Sequence, residues 1–154
     1  MLLCTMSEHI IKRHNKNLLI YHIVCPVKYR RKIFTDIIEK TLQDVCFKIS
    51  ERYEIHFIEI GSDEDHVHFL LQGIPVMSPA RMVQIIKSIT SKELYGQHPE
   101  TKKVLWGGAI LTTGYYINTV GQYGNETVIQ KYVKEQGKQY KQIYRGAIQL
   151  SLFD

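Results

Sequence analysis

The sequence predicts an α+β domain: a ferredoxin-like βαββαβ antiparallel sheet with two helices on one face, followed by an additional C-terminal helix. The hydrophobic period predicts this fold, because it alternates between strand and helix spacing in the order strand, helix, strand, strand, helix, strand, helix. The length supports it, since 154 residues suit one compact core and contain no linker-like segment. We therefore expect one domain over residues 1–154, with a flexible N-terminus at 1–10 and a tail at 145–154.

The first strand and the first helix follow from residue type and spacing. The segment NLLIYHIVC, residues 17–25, is apolar and β-branched and stops at Pro26, which predicts a strand. A helix is predicted next, with Thr35 as its N-cap. Its apolar stripe repeats at helical spacing and consists of Ile38, Leu42, Val45 and Ile49.

The middle of the chain predicts a hairpin and a second helix. Two apolar stretches, YEIHFIEI and HVHFLLQ, are joined by the turn-rich segment GSDED, which is typical of a β-hairpin. Ser78 followed by Pro79 then marks a helix start, since serine caps a helix and proline suits its first position. The stripe of this helix consists of Met82, Ile85, Ile86 and Ile89.

The last third of the chain predicts a fourth strand and a third helix. The glycine-interrupted aromatic segment WGGAILTTGYYINTV, residues 106–120, supplies the strand. The segment NETVIQKYVKEQGKQY, residues 125–140, supplies the helix. Two helices cover only one face of the sheet, so the third helix is expected to cover the other.

Composition restricts the partners and the compartment. The net charge of +5 and the pI near 9.1 favour a polyanionic partner such as nucleic acid. Three cysteines, Cys4, Cys25 and Cys46, lack CxxC spacing, which disfavours a zinc knuckle or a disulfide framework and indicates a reducing cytoplasm. No apolar run approaches the roughly 20 residues of a membrane span, so no membrane partner is expected.

Two histidines stand one residue apart in the motif HVH. Side chains alternate along a strand, so His66 and His68 are predicted to share one face while Val67 faces the core. Their Cβ atoms would lie about 7 Å apart, from which both rings can reach one metal ion. An isolated pair of this kind is more often solvent-facing or singly hydrogen-bonded, which is the interpretation given to His22 and His56. A metal site therefore needs a further ligand.

The predicted third helix offers that ligand together with a reactive group. Tyr132 and Gln136 are four residues apart and share its otherwise apolar face. A buried amide without partners costs about 1 to 3 kcal/mol, so Gln136 needs a polar neighbour, whereas Tyr132 could also be core packing. An ion held by His66, His68 and the Gln136 carbonyl would lie beside the Tyr132 hydroxyl. That arrangement favours metal-assisted attack on a phosphodiester, whose phosphotyrosine product retains the energy needed for rejoining.

The motifs HVH and YVKEQ resemble the His-hydrophobic-His and Tyr-x-x-x-Gln motifs of the single-tyrosine HUH transposases of small bacterial insertion sequences. The surrounding segments YHIVCPVKYRRKIF and GYYINTVG are similar to that family's first strand and basic turn and to its fourth strand, so the resemblance covers about residues 18–140. It implies Tyr132 as the nucleophile that forms a 5′-phosphotyrosine bond with single-stranded DNA. It also implies His66, His68 and Gln136 as ligands of Mg²⁺ or Mn²⁺, although imidazole ligands alone favour manganese, zinc or another transition metal.

The resemblance further implies the partners. These are DNA hairpins near the ends of the element and a second copy of the chain, with the tyrosine helix of one subunit able to complete the site of the other. Basic residues attract phosphates and aromatic residues stack on unpaired bases, so two clusters are predicted to contact DNA. Their members are Lys28, Tyr29, Arg30, Arg31, Arg81, Lys87 and Lys92.

The chain ends in a short apolar segment. Its residues Gln149, Leu150, Ser151, Leu152 and Phe153 resemble the peptide with which bacterial proteins dock on the replicative sliding clamp. The alternative is a terminal strand that packs back on the domain.

Three other functions compete with the transposase. A non-catalytic single-stranded nucleic-acid binder on the same scaffold would not need Tyr132. A domesticated palindrome-acting tyrosine transposase or a nickase would use the same chemistry on other DNA. A zinc hydrolase is disfavoured, because the sequence has no HExxH motif, no cysteine ligand cluster and no carboxylate placed as a base.

Overall fold

The computed structural model describes residues 10–63, 65–105, 108–120 and 141–145. Its strands are β1 (Ile10–Lys12), β2 (Asn15–Asn17), β3 (Leu19–Pro26), β4 (His56–Ser62), β5 (His66–Gly73), β6 (Tyr116–Val120) and β7 (Lys141–Arg145). Its α-helices are α1 (Asp36–Arg52), α2 (Pro79–Gln97) and α3 (Glu100–Leu105), and a short 3₁₀ turn spans Lys28–Arg30. Within these ranges, no helix is long and apolar enough to span a membrane.

The predicted βαββαβ unit is confirmed as β3-α1-β4-β5-α2-β6. Five strands form one antiparallel sheet in the order β6-β3-β5-β4-β7, which places β5 at its centre between β3 and β4. The hairpin β1-β2 forms a separate two-stranded sheet. Strands β3, β5 and β4 each have a neighbour on both sides, whereas β6 and β7 form the edges of this sheet.

The helices begin where the sequence predicts. The Thr35 hydroxyl accepts a hydrogen bond from the Ile38 amide at 3.4 Å, which caps α1. The Ser78 hydroxyl accepts one from the Arg81 amide at 3.1 Å, and Pro79 occupies the first position of α2. Both caps use side chains that satisfy amides without an intrahelical partner.

The main core lies between the sheet and the helices α1 and α2. Val67, Phe69 and Leu71 of β5 are fully buried in it, and the predicted helix stripes are buried there too, except for Ile89, which is partly buried. Cys25 and Cys46 are also buried there as free thiols, and burial raises the pKa of Cys25 to about 12. A thiol with such a raised pKa is a weak nucleophile at neutral pH.

The opposite face of the sheet carries a smaller buried cluster. Its apolar members are Ile20, Ile58, Leu70 and Val120. His22 and His68 are buried among the strands of the same sheet, with 7% and 6% of their surfaces exposed. The helix that the sequence predicts over residues 125–140, and that is expected to cover this face, lies outside the described residues.

Several elements differ from the sequence prediction. Strand β7, the hairpin β1-β2 and helix α3 were not predicted, and β1 begins at the last residue assigned to a flexible terminus. The fourth strand is shorter than residues 106–120, since β6 begins only at Tyr116. The segment before it joins the sheet through a single bridge between Val27 and Leu111. Glycine explains the short strand, because Gly108 has a φ of 75° and glycines weaken strand interiors.

A charged cluster joins β7 to the rest of the domain. The Lys141 ammonium lies 2.6 Å from a carboxylate oxygen of Asp36 and 2.6 Å from one of Glu39. Glu39 is buried, and its second oxygen accepts a hydrogen bond from the Ser62 hydroxyl at 2.8 Å. The start of β7 is therefore tied to the first turn of α1 and to the end of β4, and the two acidic side chains also suit a helix N-terminus.

Replacing Lys141 by methionine should lower the melting temperature by a few degrees at pH 7. The hydrogen bond from Lys141 holds the pKa of Asp36 below its usual value, so this stabilisation is present above the unfolded pKa of about 3.9 and is lost as the pH falls through the folded pKa. The difference between wild type and Lys141→Met should therefore narrow below about pH 4, as measured by circular dichroism melts.

Lys40→Met is the matched control for this prediction. The Lys40 ammonium lies 3.8 Å from Asp44 in an exposed pair on the same helix, so its removal should change the melting temperature little. If the difference in melting temperature between wild type and Lys141→Met were the same at pH 3 and at pH 7, the role assigned to the ion pair would be contradicted.

Candidate active site

The two histidines of the HVH motif lie on the central strand β5, on the face opposite the main core. His66 pairs with Pro26 and His68 with Val24 of the neighbouring strand β3. Their ring centroids are 6.4 Å apart and the rings are inclined by 43°. Alternation along β5 produces this arrangement, because Val67 between them is fully buried in the core.

His66 is held on both of its ring nitrogens. Its Nδ1 atom lies 2.5 Å from Oδ1 of Asp65, and its Nε2 atom lies 2.7 Å from Nη1 of Arg30. Arg30 and Asp65 also contact each other, since the Nε atom of Arg30 donates to Oδ2 of Asp65 at 2.7 Å. A guanidinium can only donate, so Nε2 must be the acceptor and Nδ1 carries the proton. These contacts assign the Nδ1–H tautomer to His66 and leave Nε2 as the acceptor.

His68 stacks on a third histidine, His22 of β3. The two ring centroids are 5.7 Å apart and the ring planes differ by 15°. Burial, with smaller effects from His22 and His66, lowers the pKa of His68 to about 4, and burial also lowers the pKa of His22. Both rings are therefore neutral at pH 7, the form in which imidazole binds metal ions.

His22 is not solvent-facing, because its side chain is buried beside the HVH pair; its hydrogen bond to Asn118 fits the other interpretation, a singly hydrogen-bonded histidine. No signal in the linear sequence links the two, since their proximity depends on the register that pairs His22 with Leu70 and His68 with Val24. His56 lies at the start of β4, opposite Gln72, away from this pair.

The described part of the chain contains two of the three predicted metal ligands, His66 and His68. The two imidazoles are chemically suitable, because they lie on one face, burial keeps His68 neutral, and the contacts of His66 leave Nε2 as an acceptor. Across these ranges, no group of three or more His, Cys, Asp or Glu side chains is arranged to hold a metal ion. The other predicted residues of this centre, Tyr132 and Gln136, lie outside the described residues, as do the tail residues Gln149, Leu150, Ser151, Leu152 and Phe153.

The basic segment predicted to contact DNA lies directly beside the histidines. Lys28, Tyr29, Arg30 and Arg31 form a turn after β3, whose entry is fixed by a 2.8 Å hydrogen bond from the Val27 amide to the carbonyl of Asp65. Tyr29 and Arg30 both adopt left-handed backbone conformations, with φ of 59° and 54°. Tyr29 is 58% exposed and the Lys28 ammonium lies 5.1 Å from its ring centroid.

The second predicted DNA cluster lies on α2, on the other side of the sheet. Arg81 donates a 3.0 Å hydrogen bond to the Gln84 side chain, and Lys92 is exposed. Lys87 instead forms hydrogen bonds within the domain. Its ammonium donates to the carbonyls of Thr112, Thr113 and Gly114 at 2.5, 3.0 and 3.1 Å. These contacts hold the segment that leads into β6.

An exposed aromatic residue that the sequence did not single out lies on the histidine face. Tyr116 of β6 pairs with Val24, which pairs in turn with His68, so the three side chains form one row across the sheet. Directly paired residues of antiparallel strands point to the same face. Tyr116 is 59% exposed, which leaves its ring available for stacking.

Comparison with known proteins identifies related sequences and folds. Residues 15–136 match the model of the family described as "Transposase IS200 like". The ISDra2 transposase TnpA of Deinococcus radiodurans is 30% identical over 116 residues, which are 75% of this chain and 82% of that protein. The transposase for insertion sequence element IS200 of Salmonella typhimurium is 33% identical over 116 residues, 75% of either chain.

Two solved structures share the fold. A crystal structure of a candidate transposase from Deinococcus radiodurans R1 superposes with a TM-score of 0.67 at 23% identity, covering 90% of this chain and 99% of that one. A REP-associated tyrosine transposase bound to a REP hairpin superposes with a TM-score of 0.50 at 9% identity, covering 80% and 67%.

Replacing Lys87 by methionine should lower the free energy of unfolding by about 1 to 2 kcal/mol, because the carbonyls of residues 112–114 lose a charged donor. Methionine and lysine have similar helix propensities, so α2 itself should not be weakened. Denaturant unfolding measures the effect, with Lys92→Met as the control on the same helix, expected to be close to wild type. Unchanged stability together with weaker binding of single-stranded DNA would instead assign the Lys87 ammonium to DNA.

Proposed function

This chain belongs to the family of IS200-like transposases, and we propose from that premise that it cleaves and rejoins single-stranded DNA through a covalent 5′-phosphotyrosine intermediate. Transfer of DNA strands is the activity that membership in a transposase family implies. One observation supports the more detailed proposal above all others. Two imidazoles share one face of the sheet directly beside a basic turn, so a metal site and a phosphate site would adjoin each other.

In the proposed metal centre, His66 would bind the ion through Nε2, and His68 and Gln136 would complete the set of protein ligands. The bound ion, Mg²⁺ or Mn²⁺, would polarise the scissile phosphoryl oxygen and offset the charge that develops there. Asp65 keeps the His66 Nδ1 proton on the far side of the ring from the ion. Burial keeps His68 uncharged, so it does not repel the ion.

The proposed nucleophile is the phenolic oxygen of Tyr132. It attacks the phosphorus and loses its proton, the bond from phosphorus to the 3′ oxygen breaks, and that oxygen leaves as a 3′-hydroxyl. The 5′-phosphate remains on Tyr132. A 3′-hydroxyl of another strand end then attacks the same phosphorus and releases the tyrosine, so rejoining needs no nucleotide cofactor.

The proposed DNA path crosses the histidine face. Lys28 and Arg31 would attract phosphates, while the exposed rings of Tyr29 and Tyr116 would stack on unpaired bases. Hairpins near the ends of the element are the proposed substrate. A non-catalytic binder of single strands would use the same exposed rings, so the covalent intermediate is what separates the two functions.

The proposed assembly is a homodimer. The described residues of one chain contribute His66 and His68, and the segment with Tyr132 and Gln136 would come from the same subunit or from its partner. The tail residues 149–153 are proposed to dock on the replicative sliding clamp, which would bring the transposase to forks where single strands are exposed.

Tyr132→Phe should abolish a denaturation-resistant adduct between the protein and a labelled single-stranded hairpin in Mn²⁺, because phenylalanine lacks the attacking oxygen. Binding of the hairpin, measured without denaturant, should persist in this variant. Tyr140→Phe and Tyr123→Phe are the matched controls and should retain the adduct, whereas His66→Ala should lose most of it. Adduct formation by Tyr132→Phe would assign the nucleophile elsewhere, and a wild type that binds without forming adduct would favour the non-catalytic function.

Deleting residues 149–154 should abolish retention of the protein on immobilised sliding clamp, since the apolar pair Leu152 and Phe153 would fill the clamp's pocket. The hairpin adduct should form as in the full chain, which shows that the shortened chain is folded. Equal retention of the full and shortened chains would reject the docking proposal.

A further inference from the structure

We propose that Arg30 and the metal ion compete for one atom, Nε2 of His66, and that metal loading transfers the Arg30 guanidinium from the histidine to a DNA phosphate. This inference rests on the proposed function, because it takes His66 as a metal ligand. It adds two positioning residues to that site, Asp65 and Arg30, and it couples metal binding to DNA binding.

The competition follows from the tautomer of His66. Nε2 accepts a hydrogen bond from Arg30 at 2.7 Å, and it has a single in-plane lone pair. A metal ion bound at Nε2 would use that same lone pair, so the two contacts exclude each other. The guanidinium is also a permanent cation, and it would lie beside a divalent cation if it stayed.

Asp65 has the opposite effect on metal binding. Its carboxylate oxygen accepts a hydrogen bond from Nδ1 of His66 at 2.5 Å, which fixes Nε2 as the unprotonated nitrogen and orients the ring. The same carboxylate accepts from Nε of Arg30 at 2.7 Å. Asp65 can therefore keep hold of Arg30 through Nε after Nη1 has left the histidine, and this contact limits how far the guanidinium moves.

The backbone conformation of the turn favours two alternative positions of the Arg30 side chain, one on His66 and one away from it. Tyr29 and Arg30 are consecutive non-glycine residues in the left-handed region, with φ of 59° and 54°. Such conformations persist only where surrounding contacts enforce them, and they concentrate at functional sites. The turn is enforced at its entry by hydrogen bonds from the Val27 amide to Asp65 and from the Lys28 amide to Ile110, at 2.8 and 2.7 Å. Release of Arg30 from His66 removes one of the contacts that hold the strained pair.

The released guanidinium would lie beside the ion and the basic turn. Its Nη1 donors would then be available to a non-bridging oxygen of a phosphate, which a planar guanidinium binds well. Arg30 is 57% exposed along its side chain, so DNA can reach it. Arg30 would therefore contribute to DNA affinity mainly when the metal site is filled, which is a positive coupling between the two ligands.

The first test is Mn²⁺ binding to the metal-free full chain without DNA, measured by calorimetry and by electron paramagnetic resonance. Arg30→Gln should bind Mn²⁺ about tenfold more tightly than wild type, because the competing donor is gone. Arg31→Gln is the matched control: it removes the same charge one residue away and should leave Mn²⁺ affinity near wild type. Asp65→Asn should weaken Mn²⁺ binding by about 10- to 100-fold.

A second readout needs no metal. The ¹⁵N chemical shifts of the His66 ring in the metal-free wild type should report a protonated Nδ1 and an unprotonated Nε2, and Asp65→Asn should lose that preference. A wild-type His66 ring protonated on Nε2 would overturn the proposal. Equal Mn²⁺ affinities of Arg30→Gln and Arg31→Gln would also overturn it.

The coupling is tested by the affinity for a short single strand with and without saturating Mn²⁺. Arg30→Gln should weaken DNA binding several-fold in Mn²⁺ and little in its absence, whereas an equal loss in both conditions would overturn the transfer of Arg30 to phosphate. Failure of the proposed function is distinguished by His66→Ala. If that variant binds Mn²⁺ as tightly as wild type, His66 is not a ligand and the metal centre itself is wrong.

Discussion

The two-residue period of β5 is the constraint on which the candidate site depends. Val67, Phe69 and Leu71 are fully buried between the sheet and the helices, and this burial fixes which face of the strand is the core face. A shift of one residue in the register would turn all three into the opposite face, at a cost of several kcal/mol of lost apolar burial. The packing of three hydrophobic side chains therefore determines where His66 and His68 point.

The same constraint governs the charge of the site. His68 lies at the centre of the sheet, beside His22 and with only 6% of its surface exposed, so protonation there would bury a cation next to two further imidazoles. His66 lies at the end of the strand, where Asp65 and Arg30 can reach it. Burial thus keeps His68 neutral, whereas hydrogen bonds define the tautomer of His66 on the same strand.

The sequence predicted those features that depend on neighbours along the chain. Thr35 and Ser78 cap the helices as predicted, because a cap uses an amide only three residues away. His22 was missed because its contact with His68 depends on the pairing of two strands separated by a helix and a strand. Lys87 appeared as one basic residue among several on α2, and only the folded chain reveals the three carbonyls that its ammonium contacts. Strand β7 was missed for a similar reason, since its pairing with β4 and the Lys141 contacts are long-range.

The surroundings of His66 bear on the choice between an enzyme and a binder of single strands. A binder needs exposed rings and basic side chains, which Tyr29, Tyr116 and Lys28 would provide without any constraint on a histidine. In the structure, a carboxylate and a guanidinium instead contact the two nitrogens of His66. The turn that brings Arg30 there contains two non-glycine residues in the left-handed conformation. Strain of this kind opposes folding, and stacking on bases does not need it. A site that must present one imidazole nitrogen in a defined state does need such control, and that requirement favours metal-assisted chemistry over binding alone.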